Sequence, residues 1–123
     1  MRKKILVFGT FDGIHPGHEF FLRSAKSRGT DLLVGVARDT HVITLKNHKP
    51  RSPQEKRLEQ IQQLPYVDQA FLCDEQLNTF ESVEIYEPDI VVLGHDQTEL
   101  EKAFILWMSE KGLYIPIVRI KKI

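Results

Sequence analysis

Residues 5–18 read Ile5-Leu6-Val7-Phe8-Gly9-Thr10-Phe11-Asp12-Gly13-Ile14-His15-Pro16-Gly17-His18, and the order of these residues decides the fold. Ile5–Phe8 is continuously apolar rather than alternating, which describes a short strand buried on both faces. Gly9 follows at once, where glycine lets backbone approach a ligand closely. Pro16 suits the first turn of a helix, because the N–H it lacks has no partner there anyway. The helix is expected to run from Pro16 to Arg28 with Phe20, Phe21, Leu22 and Ala25 inward. Gly29 would supply its left-handed stop.

The same alternation of buried strand and helix repeats along the chain. Leu32–Ala37 reads as a second buried strand, and Arg38–Pro50 as a polar, basic loop. Ser52-Pro53-Gln54-Glu55 has the form of a capping box with proline at the first helical position. Leu58, Ile61 and Leu64 continue it at helical spacing, and Pro65 closes it. Gln69–Cys73 is a short third strand. Thr79–Tyr86 is a short helix ended before Pro88, and Asp89–Leu93 is a fourth strand. Thr98-Glu99-Leu100-Glu101 is a second capping box; Leu100, Ala103, Phe104, Trp107 and Met108 face inward and Gly112 ends the helix. Leu113–Ile120 is a fifth strand. Strand–helix alternation of this kind predicts an α/β fold, a parallel sheet with helices on both faces.

Composition limits the rest. The chain has 123 residues, 41% apolar and 28% charged, which fits one soluble globular domain. Seventeen basic and seventeen acidic side chains cancel, so neither nucleic acid nor a membrane surface is an expected partner. Cys73 is the only cysteine, which rules out an internal disulfide and suits a reducing compartment. Met1-Arg2-Lys3-Lys4 is followed by only four apolar residues, too few for a secretory or membrane segment. The expected location is cytoplasmic.

Open parallel sheets bind ligands beyond the carboxyl ends of their strands, which directs attention to Gly9–His18, Arg38–Pro50, Gly94–Gln97 and Arg119. His15 and His18 stand three apart at a helix start and so share one side of the turn. A helix N-terminus offers N–H groups and partial positive charge to an anion. Two imidazole donors there suit a phosphate whose charge grows during reaction. Other readings of single residues stay open: a lone His is more often structural or solvated, and Asp12-Gly13 is a common turn. Two His at this spacing could also hold a metal, but no third ligand stands nearby.

Taken whole, Gly9-Thr10-Phe11-Asp12…His15-Pro16-Gly17-His18 resembles the first loop of the HxGH nucleotidyltransferase superfamily, in look closest to archaeal FAD synthetase and glycerol-3-phosphate cytidylyltransferase. Ala37-Arg38-Asp39, Lys46, Pro53–Arg57, Tyr66-Val67-Asp68 and Gly94-His95-Asp96-Gln97 fall in the family's order, so the resemblance covers nearly the whole chain. It implies a Rossmann-like three-layer domain with sheet order 3-2-1-4-5. It also implies transfer of AMP or CMP from ATP or CTP to a small phosphorylated acceptor, FMN or glycerol 3-phosphate in class, with release of pyrophosphate. Mg²⁺ would accompany the nucleoside triphosphate. His15, His18 and Lys46 would be catalytic. Gly9, Thr10, Phe11, His15, His18, Gly94, Asp96 and Arg119 would bind the nucleotide, and Asp12 and Arg57 would lie near the acceptor or phosphates. No metal ligand in the chain is implied. His48 stands where relatives often carry another lysine. The His-Asp-Gln form after the fourth strand leans toward the FMN-adenylylating relatives, hence toward ATP. Relatives are often dimers, and Phe71, Leu72 and Leu77 could serve either an interface or the core.

The sequence departs from the family at one place. Relatives follow the fifth strand with an Arg-Thr-x-x-(Ile)-Ser/Thr turn and a last helix. Here Arg119 takes the arginine's place and Ile120-Lys121-Lys122-Ile123 follows, so this motif and helix are expected to be missing from the single domain at 1–123. Lys121 and Lys122 could replace some charge. A truncated chain, a trimmed enzyme and a binding or dimerisation module without turnover all fit that ending. A flavodoxin-like carrier fits poorly, because the first loop lacks a Ser/Thr-rich phosphate grip.

Overall fold

A computed structural model describes residues 2–121; Lys122, invoked above for its charge, lies outside them. Five strands, β1 (Lys4–Gly9), β2 (Asp31–Val36), β3 (Gln69–Leu72), β4 (Ile90–Gly94) and β5 (Ile117–Ile120), alternate with five helices. The helices are α1 (Pro16–Lys26), α2 (Asp39–Lys46), α3 (Gln54–Gln62), α4 (Glu81–Tyr86) and α5 (Thr98–Lys111). All strand pairs are parallel and the sheet order is β3-β2-β1-β4-β5, the order that the resemblance implied. This is a Rossmann-like α/β domain, and order reverses between β1 and β4.

The continuously apolar strands face two cores, because successive side chains point to opposite sides of a sheet. Ile5 and Val7 of β1 join Leu22 and Ala25 of α1 and Ile61 of α3 on one face. Leu6 and Phe8 join Val83 of α4 and Phe104, Trp107 and Met108 of α5 on the other. Phe71 stacks on Tyr86 with ring centroids 4.5 Å apart and packs with Cys73 against the second core, while Leu72 packs against the first. Leu77 is exposed.

Local departures from the sequence reading have physical causes. Residues 39–46 form α2 instead of a loop. Thr40, Val42, Ile43 and Thr44 are β-branched and depress helical signal, but burial of His41 and Val42 and the pairing of Asp39 with Arg57 hold the turn. Ser52 does not cap α3: Pro53 occupies the cap position without a side-chain bond. The Ser52 backbone is taken up elsewhere, its N–H donated to Asp12 Oδ1 and its carbonyl bonded by Arg57 Nε. Thr98 is the first residue of α5 rather than its cap. α4 begins two residues late, after Phe80 in the left-handed region (φ 50°). Phe20 is 42% exposed rather than inward.

Gly29 does not turn left-handed, and α1 ends on Ser27 in ordinary helical geometry. Glycine is needed there for space, since a Cβ would stand 2.6 Å from the Lys3 carbonyl oxygen. Gly112 does supply the expected left-handed cap at φ 68°. No helix among the described residues is long and apolar enough to cross a membrane.

Candidate functional site

The carboxyl end of β1 delivers the chain into residues 10–15, and α1 leaves from it. His15 is the N-cap of α1 and Pro16 the first helical residue. The His15 Nδ1 accepts hydrogen bonds from the Gly17 N–H at 3.1 Å and the His18 N–H at 3.4 Å. In the arrangement that makes these bonds Nδ1 is the acceptor and the ring hydrogen sits on Nε2. Glycine at 17 is required by this cap: a Cβ there would stand 2.9 Å from His15 Cε1.

The cap revises the expectation of free backbone donors at this helix start. Pro16 has no N–H, those of Gly17 and His18 go to His15, and Glu19 N–H bonds the His15 carbonyl at 3.1 Å. What the turn presents outward is the exposed His15 ring. Two donors pulling on Nδ1 polarise that ring and strengthen Nε2–H as a donor.

His18 stacks on His15 with centroids 3.7 Å apart, and Phe11 meets it edge-on at 5.5 Å. Its Nδ1 is buried without a hydrogen-bond partner. Burial, then the neighbouring His15 charge, holds the His18 imidazole below its ordinary pKa, against the pull of the Gly13 carbonyl; Lys46 lowers it further. His18 is thus neutral at pH 7. Lys46, the last residue of α2, is exposed. His48 is exposed and its Nδ1 lies 3.0 Å from the Lys49 carbonyl. Phe11 is buried in the first core with φ 52°, its ring folded over Gly9, where a Cβ would stand 2.6 Å away. The Phe11 side chain therefore shapes the loop, and what remains available to a ligand is backbone.

Asp12 and Arg57, expected near an acceptor or phosphate, are engaged within the protein. The Asp12 carboxylate accepts from the N–H groups of Arg51 at 2.6 Å and Ser52 at 3.0 Å. Burial alone would raise its pKa, but these two bonds and the charges of Arg57 and Arg51 leave it below the usual value. Arg57 is fully buried. Its Nε donates to the Ser52 carbonyl, Nη1 to the carbonyls of Thr10 (2.9 Å) and Ala37 (2.7 Å), and Nη2 to Asp39 (2.7 Å). One guanidinium thereby ties together the segments after β1 and β2 and the approach to α3. Direct contact of Arg57 with an acceptor is corrected to a clamp beneath the site.

The β4–α5 segment faces the first loop across the switch point, as its place in the sheet requires. Gly94 ends β4, and His95 and Asp96 are exposed. Arg119 donates to the His95 carbonyl at 3.0 Å and pairs with Glu101, so it supports this loop from β5. Gln97 bonds both the Phe8 carbonyl and the Gly94 N–H at 2.8 Å.

The structure thus stacks His15 on His18 at the start of α1, just beyond Gly9 and Thr10, and the sheet order puts the loop after Gly94 beside that segment. It leaves Arg57, Asp12 and Arg119 as supports. Sequence reasoning missed Asp39, the partner of Arg57, and the bridging role of Gln97; both stood in quoted motifs, yet their partners are remote in sequence. The Cys73 thiol is pushed up to about 12, chiefly by burial and then by the Asp74 charge, so it remains protonated and is not a nucleophile.

Residues 6–120 match the family described as cytidylyltransferase-like. The chain is 40% identical over 121 residues to a FAD synthase of Methanohalophilus mahii, covering 97% of this chain and 82% of that protein. It is 44% identical over 123 residues to a FAD synthase of Methanococcoides burtonii, covering 95% and 80%. A crystal structure titled lipopolysaccharide core biosynthesis protein, from Thermoplasma volcanium GSS1, superposes with TM-score 0.90 at 32% identity and covers 100% of this chain and 99% of that one. A match across nearly the whole length and relatives at this identity carry the same conclusion: the protein belongs to the cytidylyltransferase-like family of nucleotidyltransferases.

Proposed function

We propose that the protein transfers the adenylyl group of ATP to the phosphate of FMN, giving FAD and pyrophosphate. The stacked His15–His18 pair at the start of α1 carries this reading, set beside the identity to archaeal proteins named FAD synthase. An FMN phosphate oxygen attacks the α-phosphorus in line, a new P–O bond forms, and the bond to the α–β bridging oxygen breaks. Pyrophosphate takes that electron pair. The attacking phosphate is already ionised, so no strong general base is required.

Catalysis is then placement and charge stabilisation. His15 Nε2–H donates to the triphosphate, and the neutral His18 ring lies against it where charge develops. Lys46 neutralises the leaving phosphates from the end of α2. Gly9, Thr10 and Phe11 offer backbone, and Gly94 and Asp96 frame ribose and base. Arg57, Asp12 and Arg119 hold these segments in register. Mg²⁺ would be brought to the site with the nucleoside triphosphate. When bound it supplies positive charge to the pyrophosphate.

Incubation with each triphosphate, Mg²⁺ and each acceptor in turn tests the reading by pyrophosphate release and FAD chromatography. ATP with FMN is expected to react, and CTP with glycerol 3-phosphate to react at least about tenfold more slowly. A sugar phosphate is a second acceptor to include, because the similar Thermoplasma volcanium protein is named for lipopolysaccharide core biosynthesis. Pyrophosphate release with a sugar phosphate and not FMN would replace the proposed acceptor. ATP binding without release from any acceptor would leave a nucleotide-binding module.

Gly17→Ala offers a separate check. The added methyl must push the His15 ring off its cap, which costs about 1 kcal/mol, while alanine favours the helix by roughly the same amount. Unfolding midpoints should therefore stay nearly level. ATP affinity, measured by calorimetry, should fall about tenfold, because the ring and its tautomer are no longer fixed.

A further inference from the structure

The pairing of β1 with β4 stops early. Ile5 faces Ile90 and Leu6 faces Val91, although β1 runs on to Gly9 and β4 to Gly94. The outer pairings continue to the end: Gly9 faces Val36, and Gly94 faces Ile120. The opening is confined to the seam at which sheet order reverses.

Extending the β1–β4 register by two residues would set Phe8 against Leu93. A parallel ladder in that register would join the Gly94 N–H to the Phe8 carbonyl. The phase agrees, because Val91 N–H points the other way, to the Pro116 carbonyl of the β5 side, and amides alternate along a strand. These same two groups are served by one side chain. Gln97 Nε2 donates to the Phe8 carbonyl and its Oε1 accepts from the Gly94 N–H, each at 2.8 Å. A carboxamide has the donor and acceptor of a peptide group, so it fits between them and leaves neither unpaired.

We propose that Gln97 is a positioning residue, an amide wedge set into the sheet that holds β1 and β4 apart and fixes the width of the nucleotide crevice. It acts through Gly9 and Gly94, at which the two strands end, and the inference rests on the nucleotide site proposed above. Glutamine is required by length and polarity together. Asparagine is one methylene short. Glutamate accepts from Gly94 but opposes the Phe8 carbonyl, and methionine fills the volume with no polar group.

Gln97→Met and Gln97→Glu test it, with KM measured separately for ATP and for the acceptor. Either folded variant is expected to show a KM for ATP raised about tenfold or more, with the acceptor KM within about twofold, since Gly9 and Gly94, through which the wedge acts, are assigned to the nucleotide in that reading. An unchanged ATP KM in either folded variant, or a rise in the acceptor KM instead, overturns the proposal. So does loss of folding in both, which would make Gln97 purely structural. Wild type run in parallel separates the two readings. Without turnover but with Mg²⁺·ATP binding by calorimetry, the transferase reading fails and a tenfold loss of ATP affinity in the variants still supports the wedge. Wild type that neither turns over nor binds ATP overturns both.

Discussion

His18→Ala is expected to lower kcat about 10²–10³-fold at saturating ATP and acceptor, the cost found when a single preorganised donor to developing charge is removed. The ring is held by its stack on His15 and by the edge of Phe11, so its placement is fixed before a ligand arrives. Truncation removes no hydrogen bond at Nδ1, which has none, and leaves at most the Gly13 carbonyl without its pull on the ring. The unfolding free energy should therefore change by only about 1 kcal/mol, and the loss of rate should not be explained by loss of fold. A decline in kcat below about fivefold would remove His18 from the chemistry.

The same substitution has a pH signature. His18 is held below its ordinary value of 6.5, by burial first and then by the charge of His15. The folded state therefore favours the neutral ring. That contribution to stability is complete above pH 6.5 and is lost as pH falls through the lower folded value. Wild-type melting temperature should fall more steeply below pH 6.5 than that of His18→Ala.

The largest effect on stability is expected from Arg57→Met, about 3–5 kcal/mol by chemical denaturation. Methionine approximates the buried stem but leaves the carbonyls of Ser52, Thr10 and Ala37 without their donor. Asp39 loses its partner as well, although its side chain is 36% exposed and water can take up part of that charge. Arg57→Lys should recover only a fraction, since an ammonium cannot span the same fork of acceptors. Whatever fraction folds should also bind ATP less well, because Thr10 and the segment after β2 are no longer tied to each other. A cost under about 1 kcal/mol would mean that the guanidinium is replaceable by water and is not a clamp.

The fold was legible because its signals are local and strong. Ile5–Phe8 is apolar at every position, as a strand covered on both faces must be, and Gly112 follows α5 where a left-handed cap is needed. α2 was hidden because its stability comes from His41, Val42 and Asp39 meeting partners far along the chain, against the preference of its β-branched residues. Ser52 and Thr98 looked like caps by spacing. Spacing could not show that the Ser52 backbone is spent on Asp12 and Arg57, or that the Gln97 side chain is drawn away to Phe8. The histidine pair was legible as a motif, but its form was not. The Nδ1 cap depends on the extended backbone of His15, with ψ 170°, which no residue type encodes alone. Arg57 was expected near the acceptor or phosphates, and its burial was not legible because a buried arginine needs several acceptors at once, which here come from three separate segments.

The sheet order also has a temporal meaning. β1, first in the chain, occupies the middle of the sheet between β2 and β4. The portion β3-β2-β1 is contiguous in sequence and carries the Arg57 clamp; β4 and β5 follow as a second contiguous portion. Within the sheet the two join through two register pairs, the Gln97 bridge and end contacts such as Lys4 N–H to Asp89 Oδ2 at 2.7 Å, 85 residues apart, and beside it through the core that Leu6 and Phe8 share with Phe104 and Trp107. Closing so long a loop is slow relative to local pairing, so the central seam is expected to be the last part of the sheet to assemble. The crevice between His15 and Gly94 is then not a groove cut into a finished protein. It is the line along which the two halves of the chain meet.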